Sequence, residues 1–433
     1  MLLQSLVKYY DILAQDEESG IPKPGYGMAA VSYALVLSRD GEPLEVIPLK
    51  VKNEKGNKQI AQKRLVPEQV KKTSGISSNF LCENSSYVLG VDKKGKPERS
   101  KECFNHLKEL HNQILGEVDC AEARAVVSFV NSWDPDKAAE HDALKDCLDE
   151  ITDGGYIVFR LDGGSFVHQH PLIKKAWERY KAAPSDAPVM RCLVSGEEAS
   201  IATIHPSIKG VRNAQSMGAA IVSFNARAYE SYGRLGEQGA NAPVSQQATF
   251  SYTTVLNHLL ADSAHRLFLG DTTIVFWAES ADPGYQDYAS MLFDPSELED
   301  KKQTTNGLVR DERAVREIKG IFSKLANGAP VGDYSGVFDE GTAFYVLGIA
   351  PNASRLAIRF FVRDSFGGFV ENTTRHYEHL RIQKRYPSDP DILSLWRLLN
   401  ETVSPKSSDK SASPLLAGAV LRSILTGLAY PAQ

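Results

Sequence analysis

At 433 residues, with 42% hydrophobic and 24% charged residues, the chain exceeds one ordinary domain and has the composition of a globular protein with two or three cores. Its 49 Lys and Arg against 54 Asp and Glu leave a net charge of −5, which excludes a uniformly basic, histone-like nucleic-acid binder. Five scattered cysteines without a Cys-x-x-Cys pair, no apolar window near the ~18 residues of a membrane span and no basic leader predict a soluble, cytoplasmic chain with reduced thiols and no membrane partner.

Leu3, Leu6, Val7, Tyr10 and Leu13 recur at helical spacing, so the chain opens with an amphipathic helix that stops near Gly20 and Pro22. Val31, Tyr33, Leu35 and Leu37 then alternate before an Asp40-Gly41 turn, and Leu44, Val46 and Leu49 return, which predicts a β-hairpin. Residues 50–72 follow with eight basic side chains (Lys50, Lys52, Lys55, Lys58, Lys63, Arg64, Lys71, Lys72) against Glu54 and Glu68, a local balance of +6 inside an acidic protein. A second basic run holds Lys93, Lys94, Lys96, Arg99 and Lys101. Together they make a phosphate footprint or, read blandly, a solvated hairpin edge.

Residues 101–149 read as helices broken near Gly116 and Asp134-Pro135, and strands are expected over 156–161 and 189–194. Beyond them the pattern predicts a short buried strand over 219–224, a long helix over 250–269, a strand over 272–277 and a helix over 313–325. A hairpin of 344–349 with 356–362 comes next, then helices over 368–382 and 392–400. Residues 404–414 form a polar linker, and 415–428 a helix whose stripe of Leu415, Leu416, Ala419, Val420, Ile424 and Leu428 is expected to pack on something outside this chain. The fold class is α+β and multi-lobed: an N-terminal lobe 1–195 with the basic segment, a second lobe 196–403, the linker 404–414, and the start of a helical domain at 415–433.

The densest polar motif is Gly210-Val-Arg-Asn-Ala-Gln-Ser-Met-Gly-Ala-Ala-Ile-Val-Ser-Phe-Asn225, continued by Tyr229-Glu-Ser-Tyr-Gly233 and Asn241-Ala-Pro-Val244. Gln215, Ser216, Asn225 and Asn241 offer uncharged donors and acceptors, while Gly210, Gly218 and Gly233 permit positive φ or close backbone approach. Asn213 and Gln215 suit reading of base edges, Ser216 and the Gly218 backbone suit sugar or phosphate, and Tyr232 either stacks on a base or fills a pocket. Amides that cap turns are the bland alternative, and Asn225, directly after the expected strand, fits it best.

Enzyme signatures are absent. There is no phosphate loop, no His-Glu-x-x-His and no Gly-x-Ser-x-Gly, and Gly25-Tyr-Gly27 sits among prolines as a turn. Cys103, His106, His111 and Cys120 are the best metal candidates, yet only the first two share a helix face. The pairs His168/His170 and His376/His379 lack the carboxylate cluster of a nuclease. No catalytic residue, metal or cofactor is expected, and the rival reading is a metal-dependent nuclease or hydrolase using His168 and His170.

Four sets of motifs occur in order along the chain: Met1-Leu-Leu-Gln-Ser-Leu-Val-Lys-Tyr-Tyr10 with Gly20-Ile-Pro-Lys-Pro-Gly-Tyr26; Lys72-Thr-Ser-Gly-Ile76 with Asn79-Phe-Leu-Cys82 and Tyr87-Val-Leu-Gly90; Asn213-Ala-Gln-Ser216 with Ser223-Phe-Asn225, Tyr232-Gly233 and Asn241-Ala-Pro243; and Arg359-Phe-Phe-Val-Arg-Asp364. In these the chain resembles the large subunit of the type I-C CRISPR surveillance complex (Cascade), the Csd family, with one departure: that family usually continues into a helical C-terminal domain, and this chain stops at Gln433. The resemblance implies a non-catalytic subunit that recognises a short motif (PAM) in double-stranded target DNA, promotes strand opening and R-loop formation, and supports recruitment of a helicase-nuclease. It also implies contacts with the guide RNA 5′ region and with the Cascade backbone and small subunits, and exposure to phage anti-CRISPR inhibitors. Lys71, Lys72, Asn213, Gln215, Ser216, Gly218 and Tyr232 are then the candidates for PAM or duplex contact. Lys50, Lys52, Lys55, Lys58, Lys63 and Arg64 are the candidates for the DNA backbone.

Overall fold

The computed structural model describes residues 1–16, 19–52, 59–69, 75–93, 96–182, 187–231, 233–293, 311–326, 338–383, 385–386, 392–404, 406 and 412–432. Helices and several sheets alternate along the chain, an α+β fold. Two compact units form, Pro22–Asp186 and Met1–Ile21 with Ala187–Gln433, so neither falls on the boundaries at 195 and 403 expected above. The opening helix α1 (Leu2–Gln15) belongs to the second of them.

The unit Pro22–Asp186 is built on a six-stranded sheet. Its strands are β1 (Tyr26–Leu37), β2 (Pro43–Pro48), β3 (Lys50–Lys52), β4 (Gln59–Pro67), β5 (Cys82–Glu83) and β6 (Tyr156–Leu161), in the order β3-β4-β1-β6-β5 with β2 beside β1. The long β1 serves two antiparallel partners: its first half pairs with β4 and its second with β2, while β6 runs parallel to it. The helices are α2 (Ser85–Val88), α3 (Pro97–Leu115), α4 (Ala121–Ser132), α5 (Leu148–Thr152) and α6 (Pro171–Ala182). Tyr33, Leu35 and Leu37 point with Ile157 and Phe159 into a core shared with Leu107, Val126, Phe129 and Trp177, as period-two alternation requires. The expected break at Gly116 separates α3 from α4. At the expected Asp40-Gly41 turn, Gly41 has φ 91°, and a Cβ there would lie 2.6 Å from the Phe129 nitrogen.

In the other unit a short hairpin, β7 (Val189–Arg191) with β8 (Glu198–Ser200), precedes α7 (Gln246–Ala261), β9 (Arg266–Leu269), β10 (Thr272–Ala278), α8 (Gly284–Phe293) and α9 (Glu312–Ala326). There follow β11 (Ala343–Asn352), β12 (Arg355–Ser365), α10 (Phe366–His379), α11 (Leu395–Glu401) and α12 (Pro414–Thr426). An antiparallel sheet β12-β11-β10-β9 is covered on both faces, which is why every residue of β10 is buried. Val275, Trp277, Tyr345 and Leu347 pack on Leu6, Tyr9, Tyr252 and Leu256 from α1 and α7. Phe276, Phe344 and Val346 pack on the other side among residues of α8, α9, α10, α11 and α12.

Three sequence expectations change. Residues 219–224 form no strand: Ala219 bridges only Ile208, and Ala220 only Arg355, because the apolar run finds no neighbour to extend a ladder. The helix expected over 250–269 starts earlier, where Ser245 caps the Ala248 N–H, and stops at Ala261, where Asp262 accepts the Ala264 N–H. Leu267 and Phe268 then pair with β10 instead of continuing the helix. The final helix, expected to need a cover from outside the chain, finds one within its own unit for part of its surface: Ala417, Leu421, Ile424 and Leu425 are buried with Phe369 and Leu269, while Leu415 and Leu428 stay exposed.

Candidate nucleic-acid interface

The polar motif closes a loop at its neck. Ile208 and Ala219 exchange two backbone hydrogen bonds, of 2.8 and 2.9 Å. Asn257 on α7 accepts the Lys209 N–H at 2.7 Å and donates to Ser207 O at 3.2 Å, while Thr273 Oγ1 on β10 accepts the Arg212 N–H at 3.0 Å. Within the loop, Ala214 N–H donates to Val211 O and Gly218 N–H to Gln215 O at 2.8 Å. Asn213 is left-handed at φ 61°, and Gly218, at φ 86°, has Ile208 O 2.6 Å from where a Cβ would stand. Asn tolerates that backbone and Gly alone fits the second position. A rigid turn thus holds the side chains of Asn213, Gln215 and Ser216 exposed, with no hydrogen-bond partner among the described residues. Met217 projects beside them at 78% exposure, and the Arg212 guanidinium lies 5.5 Å over the Phe268 ring. Gly218 itself is buried and its N–H is already paired, so its part is to shape the turn. Tyr232 lies outside the described residues.

The remaining motif amides are structural. Asn241 donates to Arg234 O and Gln238 O and accepts the Ser231 N–H, closing the loop that follows. Asn225 accepts from Arg355 at 2.7 Å, and the same guanidinium sits 3.5 Å from the centre of the Tyr229 ring. Arg355 had no signal in the sequence: it opens β12, and Ala220 pairs with Ser354 and Leu356 on either side of it.

In the unit Pro22–Asp186, β3 and β4 form a two-stranded ribbon. Pairing places Lys50 opposite Ala61, Lys52 opposite Gln59 and Lys63 opposite Ala30, so the three lysines share one face. They are not equivalent. Lys50 Nζ donates to Tyr33 OH at 2.6 Å and to Glu150 at 2.7 Å and is largely covered. Arg64 donates to Gln62 at 2.6 Å and stacks 4.6 Å over Phe166. Lys52 and Lys63 are exposed with no partner among the described residues. Two cross-strand pairs beside them, Val51–Ile60 and Met28–Leu65, stand at 44–49% exposure, which makes the ribbon both basic and apolar. Lys55, Lys58, Lys71 and Lys72 lie outside the described residues. In the second basic run, Lys93 pairs with Asp153 and Lys101 with Asp136, both at 2.8 Å.

The motif after Lys72 folds around a buried carboxylate. Glu83 accepts from the Asn79 backbone and side-chain amides and from the Asn84 N–H, at 3.3, 2.7 and 2.9 Å. Leu81, left-handed at φ 54°, donates its N–H to His111 Nε2 at 3.1 Å, and His111 Nδ1 donates to Leu107 O at 2.7 Å. Both ring nitrogens of His111 are therefore occupied, and burial pushes its pKa down to about 4. The Cys103, His106, His111 and Cys120 set, weighed and set aside above, does not converge among the described residues. Burial, reinforced by Arg64 and Lys174, likewise pushes His168 down to about 4, and no carboxylate cluster faces it among the described residues. Among those residues one group of metal-ligating side chains converges: Cys120, Glu122 and His170. No described helix is long and apolar enough to cross a membrane.

A search of curated proteins gives no match. The family described as CRISPR-associated protein (Cas_Csd1) matches residues 6–433, which takes in most of α1, the ribbon, the Asn79–Glu83 turn and the loop of Asn213 and Gln215 alike. The chain belongs to that family, the large subunits of type I-C Cascade.

Proposed function

We propose that this Cascade subunit reads the PAM of double-stranded target DNA with the turn that carries Asn213, Gln215 and Ser216, without catalysing a reaction itself. The observation behind this reading is the set of exposed, unpaired side chains on a backbone locked by Gly218, Asn257 and Thr273. An unpaired amide offers donor and acceptor together, the pattern that adenine N6 and N7 present in the major groove. A fixed backbone keeps the ordering cost of that contact low. Lys52 and Lys63, with Lys55, Lys58, Lys71 and Lys72, neutralise phosphates and hold the duplex without reading it. Guide RNA pairing supplies the rest of the specificity, and the subunit contacts the guide 5′ region and the backbone and small subunits, supports strand opening and the R-loop, and serves the helicase-nuclease that follows. A phage anti-CRISPR inhibitor that blocks PAM binding would have to cover the same turn.

The test is target binding by complexes carrying Gln215→Ala or Asn213→Gly, the latter chosen because Gly keeps the left-handed backbone while removing the amide. Each should cost about 1–3 kcal/mol on the correct motif and much less on a wrong one. Equal loss on both motifs, with the fold intact, would assign these side chains to positioning and refute the reading.

A further inference from the structure

We propose that Cys120, Glu122 and His170 form a zinc site that ties the start of α4 to the start of α6. This goes beyond DNA reading and does not depend on it. The three ligand atoms lie within 4.8 Å of one another, and His170 Nε2 is 3.7 Å from Glu122 Oε2. Around a tetrahedral ion with bonds of ~2.0–2.3 Å, ligand atoms stand roughly 3.3–3.8 Å apart, so side-chain shifts of under about 1 Å close the set. The groups come from two separate places. Cys120 is the N-cap of α4, with Sγ accepting the Ala123 N–H at 3.4 Å, and Glu122 lies in that helix's first turn. His170 arrives from the short 3-10 turn before α6. One sulfur, one imidazole and one carboxylate is a donor set that favours zinc over magnesium or calcium, whose ligands are oxygens. The thiolate and carboxylate charges together balance a divalent ion, and a water completes the four ligands.

His170 Nδ1 accepts the Leu172 N–H at 3.3 Å, so in the metal-free ring the proton is on Nε2, facing Glu122. On binding, the ion takes the Nε2 position, the ring proton moves to Nδ1 with loss of the Leu172 contact, and the thiol proton goes to water. Because α4 and α6 both contribute to the core over the β1–β6 face, through Phe129 and Trp177, an ion here fastens two helices of one core.

The experiment equilibrates the full chain with buffered Zn²⁺, measures bound metal per chain, and repeats the titration with Co²⁺ to look for a sulfur-to-cobalt charge-transfer band. One ion per chain and the band are expected. The informative variant is Cys120→Ser, since Ser is a better helix cap than Cys and removes only the soft ligand. It should keep the fold by circular dichroism, abolish the band and weaken zinc binding at least roughly tenfold, the lower bound seen even for groups outside the ligand shell. Glu122→Gln and His170→Ala should weaken binding by at least as much, while Cys147→Ser, at a half-buried cysteine elsewhere, should change nothing. No stoichiometric zinc in the wild-type chain, or a band that survives Cys120→Ser, would overturn the proposal.

Discussion

Acid should loosen the Asn79–Glu83 turn through His111, and by a calculable amount. The folded ring is held neutral at a pKa of about 4 because it is fully buried. An unfolded histidine titrates near 6.5, so between about pH 6.5 and 4 the unfolded chain binds a proton that the folded chain refuses. The folded pKa is the lower one, hence this contribution is complete above about pH 6.5 and is lost as pH falls toward 4. The loss is about 2 kcal/mol by pH 5 and about 3 kcal/mol by pH 4. Protonation also turns Nε2 into a donor facing the Leu81 N–H, so the left-handed Leu81 turn loses its acceptor. His111→Gln removes the titration and retains a donor and an acceptor. Urea unfolding of both chains across pH 4–7 should show a variant about 1–2 kcal/mol less stable at pH 7 and shallower in slope by up to about 1.4 kcal/mol per pH unit. The two curves should cross near pH 5–6. His168, His205 and His376 are also pushed down to about 4, so the wild-type slope exceeds one histidine's share, and only the difference between the chains reports His111. Identical slopes in the two chains would refute the account.

Gly218→Ala should destabilise its loop by about 1–2 kcal/mol from the left-handed backbone alone, and more from the contact with Ile208 O. Target complexes should then lose PAM discrimination with little change in the urea midpoint of the unit Pro22–Asp186. Replacing Lys52 and Lys63 together by Ala should reduce the slope of log affinity against log salt by about 0.9 for each phosphate contact removed, on every DNA sequence alike. An unchanged slope would place the ribbon away from phosphate. Glu83→Ala strands three N–H donors in a buried site and should cost about 3 kcal/mol or more, read as a fall in the denaturation midpoint, whereas Arg355→Ala should leave global stability nearly unchanged while increasing amide exchange of residues 220–230.

What the sequence made legible was local. Tyr33, Leu35 and Leu37 alternate because one face of β1 meets helices, and the apolar run of β10 marks a strand covered on both sides. What it hid was the partner of each group. Leu416, Val420 and Ile424 announce an amphipathic helix, yet a stripe shows only that something covers it; Leu269 and Phe369 of the same unit do so. Leu267 and Phe268 fit a continuing helix until the Asp262 cap and the β10 ladder outcompete it. Lys50 and Lys63 read alike in a basic run, and only folding brings Glu150 to the first and nothing comparable to the second among the described residues.

The four motif amides carry the same lesson to the candidate site. Asn213, Gln215, Asn225 and Asn241 offer the same amide chemistry along the chain, and sequence position marks Asn225 as structural but does not tell Asn241 from the other two. Folding consumes two: Asn241 is saturated by backbone groups of its own loop, and Asn225 is taken by Arg355, which the β11–β12 hairpin delivers from a distant part of the sequence. Asn213 and Gln215 are left without partners on a backbone that Gly218 and Thr273 hold still. An exposed amide in a mobile loop costs nothing to leave in water, and it gains little when it meets a ligand because ordering opposes the contact. An exposed amide on a locked turn has already met most of that cost during folding. The rigidity of the backbone, more than the identity of the side chains, is why the PAM reading proposed above falls on residues 213–216.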